Sequence, residues 1–235
     1  MKKSLVFFCF MVLLMGGVVG FFYFKNTHQE TVAIDIIFTH SPRFLEMSSV
    51  NKLLTQNRVS SKALLKDSLD LNMLENQLKK VPEVRNIEMY LLPKGVLSVE
   101  VTERNPLFKV GYNTPHYADE QGVQFGFKPL EGTAYPVFIS NSNSISLKET
   151  ARLIEALQSD SFVKSELKEV VYEEQIYSIR LKSYPFSIVL GAASAIPQKI
   201  EKLKVFCAFQ RLQDSLTGYN KINLSFKDQV VATTF

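Results

Sequence analysis

Two Ser-x-x-Lys matches, Ser49-Val50-Asn51-Lys52 and Ser165-Glu166-Leu167-Lys168, come nearest to a catalytic pattern. A lysine one helical turn from a serine eases removal of the serine proton, the arrangement exported penicillin-binding enzymes use. No Lys-Thr-Gly accompanies either match, and both read as solvated helix or loop residues. His28, His40 and His116 are dispersed, no two at the spacing of metal ligands, and Cys-x-x-Cys is absent. The acidic pairs Asp119-Glu120 and Glu173-Glu174 fall in turns, and nothing in the linear sequence makes two carboxylates converge across a cleft as glycoside hydrolysis requires. There is no glycine-rich phosphate loop. The expectation is a non-enzyme with no cofactor, no metal and no small-molecule substrate.

The elements that position the working surface begin with an apolar run, Leu5–Phe24, free of charge and proline. At about 1.5 Å per residue it covers roughly 30 Å, the thickness of a bilayer's hydrocarbon core. Lys2 and Lys3 precede it and Lys25 follows. Positive charge marks the cytoplasmic side, so residues 1–4 are expected in the cytoplasm, 5–24 in the membrane, 25–31 as a polar stem, and the rest outside. A cleaved signal peptide is the alternative, with small residues at Val18-Val19-Gly20. Phe21 to Phe24 carry the run past that point with no Ala-x-Ala, which favours an uncleaved anchor.

Of 27 basic and 23 acidic residues, three lysines flank the anchor, leaving a near balance that argues against a nucleic-acid surface. Cys9 and Cys207 are the only cysteines, so the exported part has no internal disulfide and depends on its hydrophobic cores. Cys207, between Phe206 and Ala208, reads as a small buried hydrophobe.

Periodicity gives a strand at Val32–Phe38, a helix capped by Ser48 with Val50, Leu53 and Leu54, a polar loop over 55–68, and a helix capped by Asp70 with Leu71, Leu74 and Leu78. Pro82 ends it. Ile87, Met89 and Leu91, then Leu97, Val99 and Val101, alternate with polar residues across Pro93-Lys94-Gly95, a hairpin with one face to water. Pro106 and Gly111 mark a boundary into β-rich sequence. Strands are expected at Tyr117–Phe127 around an Asp119–Gly122 turn, at Tyr135–Ile139, Val170–Tyr172, Ile176–Lys182 and Phe186–Leu190, and at the C-terminus through Ile222, Leu224 and Phe226 and again from Val230. Ser146-Leu147-Lys148-Glu149 is a capping box for a helix with Ala151, Leu153, Ile154 and Leu157. Pro197 opens a helix to about Leu216 that turns Ile200, Leu203, Phe206 and Cys207 inward.

The segments Leu78–Val84, Lys94–Pro106 (ending Glu103-Arg104-Asn105-Pro106), Ala118–Phe125 and Ile222–Phe226 resemble, in order, motifs of the FtsQ/DivIB family of bitopic bacterial cell-division proteins. Asn223 and Ser225 stand where that family often has Asp and Arg, and the chain has no Trp. The resemblance implies an α+β protein: an N-terminal transmembrane helix, a POTRA domain (β-α-α-β-β) over 32–106, and a larger mixed β domain with two helices over 107–235. It implies a divisome scaffold at the inner membrane, periplasmic in bulk and enriched at the septum. Expected partners are FtsB/FtsL-like bitopic proteins and the septal peptidoglycan synthase complex. The family's C-terminal strand maps the contact onto Leu224, Phe226, Asp228, Gln229 and Val230; Leu224 and Val230 could equally face the core. Glu103, Arg104 and Pro106 could form an ion pair or cap at the domain junction, or a hinge. The alternative function is an envelope assembly factor using POTRA to chaperone exported chains. A serine hydrolase built on Ser-x-x-Lys is a third.

Overall fold

The computed structural model describes residues 2–27, 33–56, 71–93, 95–141, 145–212 and 218–234. His28, the stem over 28–31, the loop over 57–68 and the Asp70 cap lie outside the described residues. The chain divides into two compact units, Met1–Glu103 and Arg104–Phe235.

The first unit opens with α1 (Lys2–Thr27), which runs past the apolar segment into the expected stem. By length and composition Val6–Lys25 can cross a membrane, and none of it is buried against the protein. Next come β1 (Ala33–Phe38), α2 (Met47–Gln56), α3 (Leu71–Leu78), β2 (Val84–Leu92) and β3 (Val96–Glu103). Strand β3 is central, parallel to β1 and antiparallel to β2. Val50 and Leu54 of α2 and Leu74 and Leu78 of α3 bury their apolar faces on Ile87, Met89, Leu97, Val99 and Val101. Two details differ from expectation. Ser48 lies inside α2, whose first turn instead bonds to the Glu46 carbonyl. Ser98 is buried rather than solvated, because its strand has a neighbour on each side.

The second unit contains β4 (Phe108–Val110), β5 (His116–Ala118), β6 (Gln124–Phe125), β7 (Val137–Ser140), α4 (Leu147–Gln158), α5 (Ser161–Glu166), β8 (Leu167–Glu173), β9 (Ile176–Leu181), β10 (Ser187–Gly191), α6 (Ile196–Leu212), β11 (Tyr219–Asn223) and β12 (Val231–Thr234). The strands form one mixed sheet in the order β12-β11-β10-β9-β8-β7-β4-β5-β6. One register row, Phe138, Val170, Ile179, Ile188, Ile222 and Ala232, crosses six strands. This row belongs to the core that α4 and α6 cover with Ala151, Leu153, Ile154, Leu157, Ile200, Leu203 and Cys207. Two helices were expected here and three are present: α5, a six-residue turn capped by Asp160, is the addition. The short strand β4 is also additional. The Ser146 cap forms as predicted, its side chain accepting the Glu149 N–H.

Candidate functional site

The end of the nine-stranded sheet is where the sequence placed a partner contact. Strand β11 ends at Asn223, earlier than the pattern through Phe226 predicts. The Asn223 carboxamide oxygen accepts both the backbone N–H (2.9 Å) and the hydroxyl (2.6 Å) of Ser225. This local turn competes with ladder hydrogen bonding and ends the strand. Leu224 points into the core, wholly buried, and its N–H reaches the Val189 carbonyl at 2.9 Å. Of its two possible roles it fills the core role. Val230 is half-buried against the same core. Phe226 is 45% exposed, and Asp228 and Gln229 are exposed beside it. The chain then returns as β12, antiparallel to β11, with Asn223 opposite Val231 and Lys221 opposite Thr233. Beyond β12 the sheet has no further strand among the described residues.

Sequence reasoning missed what holds this corner. Lys202 of α6 donates from its ammonium to the Phe226 carbonyl at 2.6 Å, and also to that of Lys227. Three residues earlier on the same helix, Lys199 donates to the Ala192 carbonyl at 2.8 Å. Burial pushes the Lys199 ammonium below the ordinary lysine range, with Lys202 adding repulsion. The two lysines therefore fix the β10–α6 and β11–β12 connections to one helix. The only sequence signal was a lysine one helical turn from another.

At the other candidate position, consecutive residues serve different units. The Glu103 carboxylate accepts the N–H groups of Arg43 (2.8 Å), Phe44 (3.1 Å) and Leu45 (2.7 Å), all in the first unit. Arg104 pairs with the buried Asp119 at 2.6 Å, in the second. Asp119 also accepts the N–H groups of Gln121 and Val123, closing the turn before Phe125. Pro106 lies in the extended stretch from Arg104 to β4.

The serine–lysine pairs do not assemble a nucleophile. Ser49 and Lys52 are exposed on α2. Ser165 is on α5 and donates its hydroxyl to the Phe162 carbonyl, whereas Lys168 is already on β8, so the second pair does not share a helix. His40 and His116 are exposed, and no group of three or more His, Cys, Asp or Glu suited to a metal occurs among the described residues. Cys207 is buried, and burial pushes its thiol up to about 11.

Comparison with known proteins fits this geometry. Residues 105–233 match the family model described as FtsQ/DivIB, C-terminal related. The cell division protein FtsQ of Geotalea daltonii is 26% identical over 178 residues, covering 69% of this chain and 63% of that protein. The match thus takes in somewhat less than two thirds of the relative's length. With the family model spanning more than half of its residues, the chain belongs to the FtsQ/DivIB family.

Proposed function

We propose that the chain is a non-enzymatic, membrane-anchored scaffold of the bacterial division site. It captures FtsB/FtsL-like bitopic partners by strand addition to β12, and so links earlier septal-ring components to the septal peptidoglycan synthase complex. Helix α1 is a retained anchor with its N-terminus in the cytoplasm. The β-α-α-β-β unit acts as a POTRA recruitment domain, and the second unit as the partner-binding domain. Glu103, Arg104 and Pro106 form the joint between them. Phe226, Asp228, Gln229 and Val230 rim the contact.

The observation that carries this reading is the position of β12 at the end of its sheet. An edge strand presents N–H and C=O groups that another chain can pair with. Family membership and the relative's printed name supply the setting. The edge is short, however. Four residues of β12 offer about four outward main-chain hydrogen bonds. At roughly 1 kcal/mol net each, they fall at the bottom of the roughly 4–15 kcal/mol cost of association. Side-chain contacts must supply the rest, and Phe226 is the nearest exposed aromatic.

The test is capture from crosslinked cells by the full-length chain, wild type beside Phe226→Asp, read by mass spectrometry. Small bitopic coiled-coil proteins are expected with wild type and at least tenfold less with the variant, whose melting temperature stays put. Undiminished capture by a folded variant rejects the site. Outer-membrane or secreted clients instead would make the chain a chaperone module.

A further inference from the structure

The C-terminal half of α6 carries an apolar face that packs against nothing. Val205, Phe209 and Leu212 are 69%, 49% and 87% exposed, with exposed Ala208 among them. Their spacing of four and three residues puts them on one helical stripe. The opposite stripe, with Leu203, Cys207 and Gln210, is buried. Elsewhere in the second unit the large exposed apolar residues are single: Tyr112, Phe127 and Ile176.

This stripe is tied to the sheet edge. Phe206 sets its ring edge-on to Tyr219, the first residue of β11, at 5.6 Å. One turn earlier, Lys202 binds the carbonyls of Phe226 and Lys227. Tyr219 also lies opposite Thr234, so β12 runs from the Lys202 corner toward the end of α6 that bears Phe209 and Leu212. A four-residue strand is only about 13 Å long, while a specific interface buries roughly 800 Å² on each partner. The stripe lies alongside β12 and can supply the missing area. Its flanks are basic: Lys202 on one side, Lys204 and Arg211 on the other, against the single acid Glu201.

We infer that the partner chain adding to β12 also lays an amphipathic helix, apolar in the middle and acidic at its flanks, along Val205, Phe209 and Leu212. This rests on the edge-capture reading above. A helix fits because a convex helical stripe is matched by another helix packing side chains between its own.

Photo-crosslinking in cells separates the two readings. The full-length chain carries p-benzoylphenylalanine at position 209 in one strain and at position 233 in another. Both adducts are expected on one polypeptide. The adduct from 209 falls where apolar residues recur every three or four positions between Asp and Glu. Crosslinking at 233 while 209 reaches lipid, a second copy, another protein or nothing overturns the helix inference and leaves edge capture standing. Failure at both positions removes edge capture, and the inference with it. The double variant Phe209→Glu, Leu212→Glu changes only exposed side chains. It is expected to lower the yield at 233 at least tenfold with no change in melting, and an unchanged yield overturns the inference.

Discussion

Arg104, Asp119 and Gly122 show how much a few residues of the second unit carry. The Arg104–Asp119 pair is buried, with the two side chains 13% and 3% exposed. Gly122 has φ +76, and a Cβ there would lie 2.4 Å from the Lys148 nitrogen and 2.5 Å from the Leu147 carbonyl carbon, both backbone atoms at the start of α4. Neither neighbour can yield, so the turn tolerates only glycine. Removing one partner of a buried pair costs about 3–5 kcal/mol, because the other charge is left uncompensated. Arg104→Ala should therefore lower unfolding free energy by about 3 kcal/mol in denaturant titrations, and Gly122→Ala should also destabilise measurably. A variant within 0.5 kcal/mol of wild type would show that the turn is not held this way. At this scale the sequence was informative where motifs are local. The Asp119–Gly122 turn was visible as a turn, but its packing on α4 is a contact between positions about 25 residues apart. Glu103-Arg104 was visible as a junction. That the two side chains serve different units was not, since Glu103 acts on N–H groups some 60 residues earlier.

Among the elements, α4 and α6 were legible because their apolar residues recur at helical spacing over 12 and 17 residues. Helix α5 was not, since six residues give periodicity no room. Its signal was a cap: the Asp160 carboxylate accepts the N–H groups of Phe162 (2.9 Å) and Val163 (3.2 Å), and Lys204 of α6 lies 3.2 Å from it. Partial burial works against the Asp160 charge, but the Val163 N–H, Lys204 and the Phe162 N–H outweigh it and hold the carboxyl below its usual value. A depressed carboxyl adds stability above the unfolded carboxylate pKa, and this is lost as pH falls through the folded value. Asp160→Ala should cost about 1 kcal/mol at neutral pH. The gap between variant and wild type should close as pH drops below about 4. Equal penalties at pH 7 and pH 3, by denaturant titration, would show that the charge plays no part.

At the scale of the whole molecule, the chain's order of strands and helices was readable and its sheet was not. The nine-stranded order depends on parallel pairings of β4 with β7, β7 with β8 and β10 with β11, which close over intervening chain and leave no local pattern. The short strand β4 follows from such a pairing. The candidate site was half legible for the same reason: Phe226 and its neighbours follow from chain order, while Lys202 matters only once α6 lies over them. The apolar helix needed no tertiary knowledge, but whether it stays attached is a property of the whole protein. Its apolar residues continue through Phe24, and the helix itself through Thr27. Cutting after Gly20 would leave Phe21, Phe22, Tyr23 and Phe24 exposed to water. A retained helix instead keeps all 20 residues of Val6–Lys25 in lipid, with Lys2 and Lys3 on the cytoplasmic side. The intact mass of the purified full-length protein should therefore include the residues before Phe21. A C-terminal alkaline phosphatase fusion should be active, as only an exported fusion is. A mature chain starting at Phe21 would make the helix a signal peptide. An inactive but stable fusion would reverse the orientation and put β12 out of reach of any periplasmic partner.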